Sequence, residues 1–282
     1  MNELKAPGNA MAEAYEGVDQ LSAFSDAGEI ENYREALLSK TTHQAKFIAD
    51  RFPDARSILE CCTGNGRLLV AMADQFEVLK GFDIANSRIE FARRWIEDQG
   101  ADNIEVWQDD IFAAREVGSC ICDLGLCITG AFGYFDPLVD EGGYKAAEFL
   151  AKSISPGGQL FLELYQHPTE IAMCLGQDEH KARVWRELPE TDRFRFYLSE
   201  YDLNVEKMIL HHSKTFIGSG GEIDEGRTEA LKIYSPEEIE ALFAPWFEGF
   251  EIYADWDKTP WHKGSGKLLI CARRRNDYLS AG

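Results

Sequence analysis

Basic residues are scarce in this chain. Its 282 residues include 29 Lys and Arg against 49 Asp and Glu, a net charge of −20. A nucleic-acid binder needs a basic footprint to neutralise phosphates. The one short basic run, Arg273-Arg274-Arg275, lies near the C-terminus and reads as a solvated chain end. The composition therefore predicts neither nucleic acid nor an anionic membrane as partner. Long apolar runs are also missing: none reaches the ~18 residues that a membrane-spanning helix needs. The first residues, MNELKAPGNAMAEAYEGVD, do not pair a basic start with an apolar stretch, so no signal peptide is expected and the chain reads as cytoplasmic. Cysteines lack zinc spacing. Cys61, Cys62, Cys120, Cys122, Cys127, Cys174 and Cys271 include no C-x-x-C pair and read as small buried hydrophobes in a reducing compartment, with no metal expected.

What is present is an alternation of apolar strands and helices. Residues 1–28 read as a loose N-terminal arm. A helix follows from about Ile30 to Phe52, broken near Thr41-Thr42. Strands are predicted at 57–61, 77–83, 103–107, 121–128 and 159–164, the last opened by a Pro156-Gly157-Gly158 turn. Helices fall at 67–74, 87–99 and 143–153. This order implies parallel pairing and a doubly wound α/β sheet. After Tyr165 the pattern changes. Antiparallel strands are predicted at 193–198, 204–212 and 228–233, with a turn at Gly218-Ser219-Gly220-Gly221. A capped helix opens at Ser235-Pro236-Glu237-Glu238, and strands at 250–256 and 267–272 close the chain.

The most informative segment runs Ile58-Leu59-Glu60-Cys61-Cys62-Thr63-Gly64-Asn65-Gly66-Arg67-Leu68. A strand ends in an acid, and a glycine turn then opens a helix. Glycines allow close approach of a ligand to the backbone. The helix N-terminus suits a carboxylate and the strand-end acid suits an ammonium, which together fit the amino-acid end of a ligand. Asp83 ends the second strand, 17 residues after Gly66, where a carboxylate can accept from both hydroxyls of a ribose. The dinucleotide fingerprint fails, because its third glycine position holds Leu69. After the third strand, Asp109-Asp110-Ile111-Phe112 offers an acid for an adenine amino group and a following N–H for a ring nitrogen.

In order from about residue 57 to 165, these segments resemble the class I methyltransferase family, whose donor is S-adenosylmethionine (SAM) and whose product is S-adenosylhomocysteine. One departure stands out: Cys62 occupies the position of the usual first glycine. The resemblance implies a seven-stranded, mostly parallel Rossmann-like sheet ending in an antiparallel strand. It implies that Glu60, Cys62, Thr63, Gly64 and Gly66 meet the methionine part, Asp83 and Ile84 the ribose, Asp110 and Ile111 the adenine, and that Thr129 also lines the cofactor. Thr129-Gly130-Ala131-Phe132-Gly133-Tyr134-Phe135 resembles the S-F-G-Y segment of small-molecule methyltransferases. Leu231-Lys232-Ile233-Tyr234-Ser235-Pro236-Glu237-Glu238 is similar to their R-x-Y-[ST]-P-E-E-L stretch, which follows an antiparallel insert roofing the substrate.

The expected organisation is an N-terminal helical arm and lid (1–52), a SAM-binding core (53–165), an antiparallel substrate lid (166–233) and a C-terminal helix with closing strands (234–282). The expected activity is transfer of a methyl group to N or O of a small molecule. A SAM-binding regulator without catalysis and a protein or RNA methyltransferase are the alternatives. Candidate bases are His167, His180, His211, His212, Tyr134 and Tyr165, with His167 ranked first and Tyr134 beside it; His211 and His212 alternate faces on a strand. Tyr33, Tyr165, Trp185 and Tyr197 are the expected acceptor contacts. The arm either closes over the cofactor, caps a core edge or packs in a homodimer.

Overall fold

The computed structural model describes residues 28–113, 121–166, 168–176, 179–187 and 194–276. In chain order the elements are α1 (Gly28–Arg51), β1 (Ser57–Cys61), α2 (Arg67–Ala71), β2 (Val78–Asp83), α3 (Asn86–Gln99), β3 (Ile104–Gln108) and β4 (Cys122–Cys127). A 3-10 turn (Ala131–Tyr134) leads into α4 (Phe135–Leu138), α5 (Gly142–Ser153), β5 (Ile154–Tyr165) and α6 (Pro168–Leu175). Then come β6 (Lys181–Glu187), β7 (Phe194–Asn204), β8 (Ile209–Gly218), β9 (Ile223–Lys232), α7 (Pro236–Phe243), β10 (Phe247–Tyr253) and β11 (Lys267–Arg274).

The central sheet has seven strands in the order β10-β11-β5-β4-β1-β2-β3. Strands β1 to β5 pair in parallel. The last strand, β11, runs antiparallel to β5 and is inserted between it and β10. Alternate residues along each strand face opposite layers of helix. Ile58, Leu79, Leu124 and Phe161 pack on α1, α2 and α3 through Phe47, Ile48, Leu68 and Ile89. Leu59, Phe82, Leu160 and Leu162 pack on α5 and α7 through Ala146, Leu150, Ile239 and Phe243. A sheet buried on both faces explains the near-continuous apolar strands. The predicted doubly wound, mostly parallel fold is observed.

Several boundaries differ from the sequence reading. Helix α1 continues through Thr41-Thr42: Thr41 and Gln44 turn inward and accept hydrogen bonds from Arg67 on α2, 2.6 Å each, so the polar residues bind rather than break the helix. Pro156-Gly157-Gly158 is a bulge inside β5 rather than a turn before it. Gly157 takes φ 79, and the register to β4 slips there. The expected strand at 204–212 contains the bend of a hairpin at 205–208: β7 ends at Asn204, whose Oδ1 accepts the Lys207 N–H at 3.0 Å, and β8 starts at Ile209.

The segment after β5 forms a separate four-stranded antiparallel sheet, β6-β7-β8-β9. Strand β6 and helix α6 were not foreseen. The sheet's inner residues Ala182, Tyr201, Leu203, Leu210 and Leu231 bury themselves with Cys174 of α6 and Ile233, and Tyr134 packs against them. Ser235 caps α7 as predicted: its Oγ accepts the Glu238 N–H at 3.2 Å, and the Glu238 carboxylate accepts the Ser235 N–H at 2.8 Å.

Candidate functional site

The carboxyl ends of β1, β2, β3 and β4 open into one cavity of about 330 Å³. Its floor and walls come from the core: Cys62, Asp83, Ile84, Asp110, Ile111 and Thr129, with Arg88, Phe112 and Tyr165. Its roof comes from the antiparallel sheet, through Lys214 of β8 and Glu229 of β9. A crevice outside the carboxyl ends of parallel strands is where open α/β sheets bind ligands.

The turn after β1 is built from left-handed residues: Cys62, Gly64 and Gly66 take φ 58, 60 and 74. Cys62 thus adopts the backbone conformation that the usual glycine would favour. The Gly64 N–H donates to Asp83 Oδ2 at 2.8 Å, and the Ala85 N–H donates to Asp83 Oδ1 at 3.0 Å. One buried carboxylate therefore ties the first turn to the second and presents its remaining lone pairs to the cavity. Asp110 Oδ1 accepts the Phe112 N–H at 2.9 Å, which fixes the third turn.

Glu60 and Thr63 lie beneath this surface and do not line the cavity. Thr63 Oγ1 donates to Glu60 Oε2 at 2.6 Å. Burial pushes the Glu60 carboxyl up to about 7, opposed by the Thr63 hydrogen bond and Arg67. The sign follows from which state holds the proton. The folded protein keeps it up to about pH 7, whereas the unfolded chain releases it near 4.5. This group's stabilisation is complete below pH 4.5 and is lost as the pH rises to about 7, amounting to roughly 3 kcal/mol. Denaturant titrations at pH 5 and pH 8 are expected to show that loss, and Glu60→Gln is expected to flatten it. An unchanged slope in the variant refutes the assignment.

The other candidates divide. Tyr134 and Tyr165 line the cavity. Tyr197 sits on the inner face of the roofing sheet, stacked on Phe216 at 5.7 Å, but does not reach the cavity. Trp185 is a correction to the acceptor contacts. It neighbours Val184, whose side chain packs on the sheet's core, so the pleat turns Trp185 outward, 55% exposed and stacked on Phe196. His212 faces inward, stacked on Tyr201 at 4.4 Å and 3.1 Å from Ser199 Oγ, while His211 faces the opposite way. His180 also lies away from the cavity. His167, the side chain of Tyr33 and the arm before residue 28 lie outside the described residues. Among the cavity residues that sequence reasoning missed, Lys214 and Glu229, 3.9 Å apart, form the roof. Each is one polar residue in a strand with two polar faces, and only the sheet's position over the core singles it out. Among the described residues no His, Cys, Asp or Glu cluster is placed to hold a metal ion, and no helix is long and apolar enough to cross a membrane.

The sheet order, the crossovers and the antiparallel roof together define a Rossmann-like methyltransferase fold. Solved structures match it over most of their length. The CcbJ methyltransferase from Streptomyces caelestis superposes with a TM-score of 0.69 at 15% identity, covering 83% of this chain and 89% of its own. An S-adenosylmethionine-dependent methyltransferase from Clostridium acetobutylicum gives 0.69 at 14% identity, over 95% and 98%. The sugar N-methyltransferase KedS8 from Streptoalloteichus gives 0.60 at 19% identity, over 88% and 93%. No protein-family model and no curated protein sequence matches the chain.

Proposed function

We propose that this protein is a SAM-dependent methyltransferase acting on N or O of a small molecule. The observation that carries the reading is the pair of carboxylates, Asp83 and Asp110, at the ends of two adjacent strands and opening into one roofed cavity. The residues fit a nucleoside. Asp83 suits the ribose hydroxyls, Asp110 the adenine amino group, and Ile84, Ile111 and Phe112 offer apolar surface to the base. The left-handed turn after β1, which reaches the cavity through Cys62, suits the amino-acid end. When bound, SAM supplies a methyl group on a sulfonium, open to in-line attack.

The chain's own contribution is alignment and exclusion of water. The roofing sheet covers the cavity, and Tyr134 and Tyr165 narrow it beside Thr129. Lys214 and Glu229 are the charged groups that the roof brings to the cavity, and we assign them to the acceptor. The small-molecule class is supported by the roofed cavity, the acidic chain and likeness to a sugar N-methyltransferase. Incubation with methyl-labelled SAM and fractionated metabolites tests the reading. Acceptor-dependent formation of S-adenosylhomocysteine is expected. Glu229→Gln is expected to lower turnover at least tenfold while leaving S-adenosylhomocysteine affinity within about threefold, since loss of a hydrogen bond to a charged group is worth about 1.5–3 kcal/mol. Tight SAM binding with no turnover on any fraction favours a regulatory binder instead.

A further inference from the structure

Behind the cavity lies a closed polar ring that meets the proposed cofactor contacts only at Thr129. Glu163, near the end of β5, is fully buried. Its Oε2 accepts the Thr129 N–H at 2.9 Å, and its main-chain carbonyl accepts the Gly130 N–H at 3.0 Å. Its Oε1 pairs with Lys267 Nζ on β11 at 2.5 Å. Gln44 of α1 donates to Oε2 at 3.5 Å, and the Gln44 Oε1 accepts from Arg67 at 2.6 Å. Arg67 closes the ring by donating to Thr129 Oγ1 at 3.3 Å. Five elements meet here: the end of β5, the turn after β4, helix α2, helix α1 and, through Lys267, β11.

Stability alone does not account for this arrangement. A buried ion pair can often be replaced by apolar residues at no loss, because desolvation offsets the attraction. The ring does impose geometry. Thr129 and Gly130 are consecutive left-handed residues, at φ 61 and 75. For a β-branched residue that conformation is a true outlier, and it persists only where its surroundings over-determine it. Glu163 anchors both N–H groups of this pair, and Arg67 anchors the Thr129 hydroxyl. Thr129 is the member of the ring that lines the cavity. Gly130 carries a further constraint: a Cβ there would lie 2.6 Å from the Tyr165 ring, which also lines the cavity.

We infer that Glu163 is a positioning residue that sets the Thr129 turn for cofactor binding and, through Gln44 and Arg67, makes the docking of helix α1 a condition for it. Helix α1 then acts on the cofactor site from behind, through Thr41 and Gln44, neither of which lines the cavity. This rests on the reading that the cavity takes SAM.

Calorimetry with S-adenosylhomocysteine on the full-length protein tests it. Glu163→Gln keeps an acceptor oxygen but loses the charge that pairs with Lys267. Gln44→Leu removes the α1 links to Glu163 and to Arg67 through Gln44 and leaves Thr41, which still accepts from Arg67. Both are expected to weaken binding about tenfold or more. The Thr129 amide proton, shifted downfield by donation to a carboxylate, is expected to move in Gln44→Leu although Gln44 does not contact that amide. Asn103→Ala is the control. Asn103 holds the carbonyls of Ala73 and Phe76 at 2.8 and 2.9 Å, away from the cavity, so its loss should destabilise the fold and leave affinity unchanged. If Glu163→Gln does not fold, Gln44→Leu decides. Affinity within twofold of wild type in Gln44→Leu, an unmoved Thr129 amide, or equal weakening in Asn103→Ala overturns the inference. A wild-type protein that does not bind S-adenosylhomocysteine at all overturns instead the SAM reading beneath it.

Discussion

Asp83→Ala should reduce SAM affinity about a hundredfold. The carboxylate has two duties, and both end with the substitution. Toward the ligand it is the proposed acceptor for the ribose hydroxyls, and loss of a charge-assisted pair removes roughly 3 kcal/mol, which is about two decades in affinity. Toward the protein it accepts the Gly64 and Ala85 N–H groups, so alanine leaves two buried donors without an acceptor and loosens the turn itself. That second effect should lower stability by about 2–4 kcal/mol. Asp83→Asn separates the two: its amide oxygen still serves one backbone donor, so the fold should recover more than the affinity does. Calorimetry with SAM alongside denaturant unfolding measures both. Unchanged SAM affinity in a folded Asp83→Ala protein removes Asp83 from the cofactor site.

The core was legible because its signals are local. A parallel strand buried on both faces is a short apolar run, and a glycine turn with an acid before it is a contiguous string, so β1 to β5, Asp83 and Asp110 could be placed from spacing alone. What escaped the sequence depends on distant partners. Strand β6 carries Lys181, Arg183 and Glu187 at a sheet edge, and alternation that charged reads as loop. Thr41-Thr42 looked like a helix break because the residue that satisfies Thr41, Arg67, lies 26 positions away. Glu163 falls inside the strand expected at 159–164. Its partners at 44, 129 and 267 are brought together only by the sheet order. Glu60 is the converse case. Its place in the first motif was readable, but only the structure reveals that its carboxyl faces Thr63 beneath the cavity surface.

The seam between core and roof offers the second large effect, at Gly133. Its φ is not left-handed, so any residue is allowed there by its backbone, and the constraint is contact alone. A Cβ at this position would lie 2.4 Å from Leu231 Cδ1 and 3.0 Å from the Lys232 carbonyl oxygen of β9. Leu231 is buried in the core of the roofing sheet, and Glu229, two residues back on the same face, lines the cavity. Gly133→Ala must therefore displace the buried Leu231 side chain, and through the Lys232 carbonyl it also presses on β9 or the 3-10 turn. The turn is held from below by Phe132, fully buried against Phe135, Tyr234 and Phe243, so the roof should give way first. Overpacking of this kind typically destabilises by 1–3 kcal/mol. Hydrogen exchange is expected to accelerate in β8 and β9 and stay unchanged in β1, β2 and β4. Affinity for S-adenosylhomocysteine should stay within about threefold, because its proposed contacts lie in the core, while turnover falls at least tenfold as Glu229 and Lys214 leave the acceptor. If exchange rises equally in both sheets, roof and core unfold as one unit, and the antiparallel sheet does not act as a separable cover over the cavity.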